Sequence, residues 1–549
     1  MASPGNKPDM MSPMAKAFDP MKTPGDDIEG GALRAGGAIN VWSREYIGIV
    51  VQYAAVGMIY GTLPGTVYPF LFNYLNMEST QVVSATVLLN LPWSFKLFYG
   101  MITDCVPILG YRRRPFMIIG WTLCFIMLLI MACMKAGDPY YPEYAYASMD
   151  VTTLSPEIVA SFNKDAPSTG SKFIVLMMLA AIGYVGADVA ADAMMVEVAQ
   201  REPEATRGYT QTTIYMVRTV FVTISSILTG FAFNGTHYGG DFDFSISFPQ
   251  LMIILTIVCL PVMPLTWYFI REEKHEGIVF KTYLSDLWAL IQTRPVYQVI
   301  AYKFFSGIFE NFTITSSSAM QAYWAGVTPL NEKILAIIGH GIFAITLYFT
   351  GKYGLHWNWR WMHATTIVAV TVLDCFVTLL TTWDVVRNQW FWLGVPVVEN
   401  LPSGMAFVIG TYVIVELAGD GNEGAVYGLV GSVSNIAIPF ASTISKNVDS
   451  NFDVANAFIA SDTTHVRWEV TYILIIRYAM NLAGLLFLPL LPRQKAETIE
   501  LKRNGGSSRI MGILTMGYFF FALVWAVMVN IMSIYPSTSC LRIAGGTGC

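Results

Sequence analysis

The sequence predicts an all-α membrane protein built as two six-helix halves followed by a thirteenth transmembrane helix. Three observations predict it. Of 549 residues, 54% are hydrophobic and 13% are charged, about half the charged share of an ordinary soluble protein. Apolar runs long enough to cross a bilayer core, about 20 residues at about 1.5 Å each, recur at 46–72, 80–104, 115–135, 172–199, 210–233, 248–270, 297–325, 330–352, 361–383, 391–417, 427–447, 468–491 and 510–535. Finally, Val196-Glu197-x-Ala199 with Glu204 ends the fourth run, and Val415-Glu416-x-Ala418 with Glu423 ends the tenth at identical spacing. A six-plus-six duplication of this kind is how many secondary transporters are built.

Residues 1–43 carry Gly, Pro, Met and charge without the apolar core of a signal peptide, and read as a disordered cytosolic tail. The N-terminal half then occupies 44–271. Basic residues gather in one alternating set of loops, including Arg112, Arg113, Arg114, Arg201, Arg271, Lys274, Arg294, Arg360, Arg493 and Lys495; the opposite set holds mainly Lys164, Arg387 and Lys446. The positive-inside bias places the first set, and the N-terminus, in the cytosol. A cytosolic linker at 272–296, with an amphipathic stretch around Tyr283–Trp288, leads to the C-terminal half at 297–492. Residues 493–549 supply a cytosolic loop, the extra helix and an outer tail.

That tail carries Cys540 and Cys549, candidates for a disulfide where the compartment is oxidising. No Cys-x-x-Cys pair or His/Cys cluster appears, so neither metal nor cofactor is expected. The Asn234-Gly-Thr sequon falls in an outer loop and is a glycosylation candidate. A net charge of −5, with no long basic stripe, argues against nucleic acid as a partner.

Charged groups at membrane depth cost about 2.5–3.5 kcal/mol each on insertion scales, so each needs a partner or a watery chamber. Counted from the cytosolic ends of their runs, Lys96, Asp188 and Arg218 share one level, roughly 12–15 Å deep. Asp192 lies one turn from Asp188 on the same helix face. Two carboxylates so placed form a candidate proton switch; the alternative is a permanent Asp188–Arg218 ion pair that fixes helix packing. In the second half Glu310 with Asn311, His340, Asp374 and Arg477 fall near the midplane, with Asp374 and Arg477 reading as structural. Lys96, Asp188, Asp192, Arg218, Glu310 and Asn311 are therefore the candidates for binding substrate or protons.

A motif joins the second and third runs: Gly100-x3-Asp104, Pro107, then Gly110-Tyr111-Arg112-Arg113-Arg114. Gly100 is expected to permit close helix approach, and Asp104 to face a helix N-terminus or an arginine across the seam between halves. Gly100, Asp104, Arg112, Arg113, Glu197 and Glu416 are the gating candidates.

The run Lys96-x2-Tyr99-Gly100-x2-Thr103-Asp104-x2-Pro107-x2-Gly110-Tyr111-Arg112-Arg113 resembles the folate-biopterin transporter family of the major facilitator superfamily. So does Asp188-Val189-x2-Asp192-Ala193-x2-Val196-Glu197 with Arg218 in the next helix. Leu97 stands where that family has proline, the 136–171 loop is long, and the thirteenth helix is additional. The resemblance implies a major facilitator fold whose central cavity is lined by spans one, four, seven and ten. It also implies proton-driven uptake of folates, pterins or related solutes, with Asp188, Asp192 and Glu310 on cavity helices and Lys96 and Arg218 supplied from the seam. Aromatics such as Tyr53, Tyr60, Tyr68, Tyr215 and Trp324 are candidates to stack on a flat ring.

The expected function is alternating-access transport of a small solute, with protons as coupling ion and the bilayer of a plasma or organelle membrane as surroundings. Rivals are carriage of another solute, such as S-adenosylmethionine or an amino-acid derivative, and a receptor or scaffold that moves nothing. No nucleophile–base pair, phosphate loop or metal spacing suggests an enzyme.

Overall fold

The computed structural model describes residues 36–549 apart from 150–152, 200, 203–208, 275–276, 354–356, 418–422, 547 and 549. Helices dominate, and no β-strand occurs among the described residues. The spans are α1 Ile47–Tyr74, α2 Ser79–Cys105, α3 Arg114–Cys133, α4 Ala166–Ala199, α5 Tyr209–Ala232, α6 Phe248–Phe269, α7 Arg294–Glu310, α8 Pro329–Tyr353, α9 Trp359–Thr382, α10 Gln389–Leu417, α11 Glu423–Asp449, α12 Thr464–Leu490 and α13 Arg509–Ile534.

Eleven helices among the described residues are long and apolar enough to cross a membrane. The two remaining expected spans take other forms. α7 stops at Glu310 and helix resumes only at 317–324, so the seventh is discontinuous. α10 is 29 residues long with Pro396 and Pro402 inside it, where proline removes backbone hydrogen bonds.

The two halves pack by the same plan. α1 lies on α5 as α7 lies on α11, and α3 lies on α4 as α9 lies on α10. Between halves, α2 meets α11 and α5 meets α8. Close approach rests on missing side chains: a Cβ on Gly120 of α3 would stand 2.5 Å from the Gly183 carbonyl of α4. α13 lies across α2 and α11, covering the seam.

We call the end bearing Arg112–Arg114 the basic face and the opposite end the distal face. On the basic face the linker forms a helix, Phe280–Ile291, packed on α2, α7 and α13. Val41, inside the stretch expected as a tail, is buried in the core; residues 1–35 lie outside the described residues.

Two loop assignments are corrected. Lys446 is not in a distal loop: it is wholly buried in α11, where its ammonium donates to Ser84 Oγ of α2 at 2.6 Å and Asn530 Oδ1 of α13 at 2.5 Å. Asn234 is not presented to a glycan, because it is 1% exposed and its Oδ1 accepts from Leu330 N of α8 at 3.2 Å.

Candidate functional site

Tyr184, Asp188 and Asp192 recur every fourth residue of α4 and so share one face. That face looks toward α1, α2 and α5. Pro92 turns α2 into a 3-10 segment, Leu91–Phe95, before α-helix resumes at Lys96. The tighter winding sets Trp93 and Lys96 one above the other, and Lys96 Nζ sits 4.7 Å from the centre of the Trp93 ring. On α5, Arg218 reaches the same indole, with its guanidinium carbon 5.1 Å from the centre of the Trp93 ring and 5.1 Å from that of Tyr60. α1 approaches α5 closely at this level because of Gly57, whose Cβ would stand 2.5 Å from the Arg218 carbonyl oxygen.

The sequence placed Lys96, Asp188 and Arg218 at one level, and the structure brings them together with Asp192. Their pairing is specific. Lys96 meets Asp192 Oδ2 at 3.4 Å, and Asp192 Oδ1 also accepts from Tyr53 OH at 2.6 Å and Tyr215 OH at 3.4 Å. Asp188 is fully buried, its Oδ1 lies 3.9 Å from Arg218 Nη1, and neither of its oxygens accepts a hydrogen bond. Buried carboxylates are normally hydrogen-bonded; this one is held by charge alone.

Glu310 and Asn311 are not part of this cluster. Glu310 ends the first segment of α7 and turns toward α9 and α12: its Oε1 lies 3.0 Å from His363 Nε2 and accepts from Ser306 Oγ. Asn481 of α12 donates to the carbonyls of Phe309, Glu310 and Phe312, satisfying the end of the broken helix. Asn311 is exposed and bonds back to Gly307 O at 2.8 Å. Asp374 pairs with Arg477 at 2.9 Å and accepts from Tyr478 OH at 2.9 Å, the structural contact expected of it.

On the basic face the motif forms a network within one half. Arg113 binds Asp104 at 2.7 Å, Glu197 at 3.2 Å and Thr103 Oγ1 at 2.8 Å, while Arg112 reaches Glu197 at 3.5 Å. Asp104 therefore pairs with an arginine of its own half rather than across the seam. Gly110, at φ 82°, makes the left-handed turn that brings the arginines back. Gly100 is not a close-approach site, since a Cβ there meets nothing within 4 Å. The Glu416 side chain lies outside the described residues, as does Cys549, whereas Cys540 is disulfide-bonded.

Sequence reasoning missed several members. Glu272, counted only as the start of the linker, accepts from the backbone N–H groups of Arg112 at 2.8 Å, Arg113 at 2.8 Å and Arg114 at 2.9 Å, capping α3. Trp93 and His363 are two further members that the sequence did not single out. The Asn-Leu-Pro sequence before Trp93, with Lys96 three residues on, was the available signal.

Residues 57–163, from α1 to the loop after α3, match the model of the BT1 family. Over that stretch the chain is similar to the BT1 family. It is 26% identical over 141 residues to "Probable folate-biopterin transporter 4" of Arabidopsis thaliana, a match covering 26% of this chain and 23% of that protein. It is 20% identical over 405 residues to "Folate-biopterin transporter" of Synechocystis sp., covering 72% and 73%. Its fold is shared with solved structures of transporters. A crystal structure of a D-xylose-proton symporter superposes with a TM-score of 0.54 at 14% identity, over 82% of this chain and 98% of that one. A structure from proton dependent oligopeptide transporters gives 0.51 at 11% identity, over 82% and 98%.

Proposed function

We propose that the chain is a secondary active transporter that moves folate, pterin or a related solute by alternating access, driven by protons. The observation that carries this reading is Asp188, a fully buried carboxylate with no hydrogen bond, 3.9 Å from Arg218 and one turn from Asp192. A cation held only at that range is open to a substrate carboxylate. When substrate takes Arg218, a proton on Asp188 keeps the site near neutrality. The solute class follows from the names of the two relatives, both folate-biopterin transporters.

On this reading the Asp104–Arg113–Glu197 network belongs to a cytosolic gate, as Glu416 does in the second half, and Glu310 with Asn311 forms a separate candidate for protons in the C-terminal half. The chain divides at the 272–296 linker, with the basic face and N-terminus in the cytosol.

The test is uptake by purified protein in liposomes. Labelled folate or pterin should enter faster when protons run down their gradient with it. Uptake indifferent to an imposed pH gradient overturns proton coupling, and preference for S-adenosylmethionine or an amino-acid derivative overturns the solute class. Absence of flux for every solute makes the chain a receptor or scaffold. A ligand that raises the melting point identifies the solute independently of flux.

A further inference from the structure

The distal end of the molecule carries a second built feature, outside the charged cluster. α1 finishes as a π-helix, Val67–Tyr74, and the resumed part of α7 finishes as another, Met320–Trp324. Each is followed by one residue in left-handed backbone, Asn76 at φ 52° and Gly326 at φ 62°, and then by the next span, starting at Ser79 and Pro329. The two corners are equivalents in the two halves. Each leaves the first N–H groups of a helix and a corner carbonyl without partners inside the helix.

Glu78 and Gln81 form a capping box at the start of α2, and in both corners a further partner comes from the opposite half. Asn456, beyond α11, accepts from Ser79 N at 3.1 Å and Ser79 Oγ at 2.8 Å, and donates to Met77 O at 3.0 Å; its own N–H goes to Glu78 Oε2 at 3.1 Å. Asn234, beyond α5, accepts from Leu330 N at 3.2 Å, the first N–H available because Pro329 has none. Val327 O, the counterpart of Met77 O, accepts from Tyr68 OH of α1 at 3.0 Å. Both asparagines are buried.

We propose that Asn234 and Asn456 are paired distal-gate residues: each half caps the second helix of the other, and the transport cycle opens the distal face by releasing both caps. The inference rests on the alternating-access reading for its purpose, but its geometry stands apart from substrate. Glu78 is the ionisable group facing Asn456, and no charge is required for the asparagines to act. Breaking one hydrogen bond to a buried helix end should raise the open population about five- to tenfold.

Spin labels introduced through non-canonical amino acids at exposed Asp243 and Thr464, so that native thiols stay in place, report the distance between the distal ends of the halves. The parent should give one short distance, and Asn234→Ala or Asn456→Ala should add a longer one. Asn234→Asp should restore the short distance, because it keeps the acceptor for Leu330 N. Asn456→Asp should not, because it loses the donor to Met77 O and places a carboxylate beside Glu78. Unchanged distances in both alanine variants overturn the proposal. Should those variants fail to fold, Ser79→Ala, which keeps both asparagines and removes only the hydroxyl donor to Asn456 Oδ1, provides the other arm: it should add a smaller share of the longer distance. An unchanged distance in Ser79→Ala as well overturns the proposal. Distances that shift while no solute moves leave the gate standing and overturn the transport reading instead.

Discussion

Asp188 Oδ1 and Arg218 Nη1 lie 3.9 Å apart on adjacent helices, and the carboxylate accepts no hydrogen bond from any neighbour. An ion pair serving only to fix packing gains most from short, hydrogen-bonded geometry. Arg218→Ala removes the partner of a buried charge, at a cost of about 3–5 kcal/mol. Adding Asp188→Asn removes that charge too, so the double variant should recover most of the lost thermal stability. Uptake should stay absent in the double variant. Uptake restored along with stability would make the pair purely structural.

Glu272 accepts from three consecutive backbone N–H groups at the start of α3 and thereby holds the arginine motif in place. Glu272→Ala should destabilise the protein by about 1–2 kcal/mol, the range for loss of a helix cap. Glu273→Ala, at an exposed neighbour, should stay within about 0.5 kcal/mol. Chemical denaturation in detergent reads the difference, and equal effects would remove the capping role.

The depth of Lys96, Asp188 and Arg218 was legible because a charge inside an apolar run is conspicuous and a helix rises by a fixed amount per residue. The Asp188–Arg218 pair was also legible, as one of two readings of the carboxylates. The carboxylate that Lys96 meets was not, because helix rotation about its axis decides between Asp188 and Asp192, and nothing local sets that rotation. Lys446 was misplaced for a related reason: it ends an apolar run, so it read as a loop residue, while its burial depends on α13 arriving from 84 positions later. Trp93 is one of 14 tryptophans, and only its fold neighbours mark it out. The broken seventh span escaped notice because Thr313, Thr315 and the serines after them are compatible with a helix; what holds the break open is remote, with Ser445 and Asp449 of α11 accepting from Thr313 N and Thr315 N.

Outside the membrane segments, Asp462 sits between Arg387 of a distal loop, at 2.6 Å, and Arg467 of the first turn of α12, at 2.9 Å. Burial pushes its carboxyl up, but hydrogen bonds and charge from Arg387 and Arg467 outweigh that and hold it below its ordinary value. A carboxyl depressed in the folded state stabilises fully above its unfolded pKa, about 3.9, and loses that contribution as pH falls through the folded value. Asp462 has a left-handed backbone at φ 47°, which asparagine tolerates. Asp462→Asn should therefore lower the melting point at neutral pH while leaving it nearly unchanged in strong acid, below the folded value. A constant difference between parent and variant across that range would exclude the charge effect.

Lys446 and Asn530 meet at 2.5 Å where α13 crosses the seam, with Ser84 the other acceptor and no side chain exposed. The ammonium is surrounded by dipoles rather than by a counter-charge, so its desolvation is only partly offset. Lys446→Met alone relieves that cost but strands the Asn530 carbonyl, worth about 1–3 kcal/mol against the variant. Ser84 loses less, since its hydroxyl still donates to Thr80 O at 2.8 Å. Lys446→Met with Asn530→Leu removes both polar partners, and replacing buried charge by apolar groups of similar volume is often neutral or stabilising. The double variant should therefore be at least as stable as the parent and more stable than either single variant. If uptake falls while stability rises, the lysine is retained to tie α13 to the moving seam. If stability falls in the double variant as far as in Lys446→Met, the bond itself, and not relief of buried charge, governs how the thirteenth helix is held.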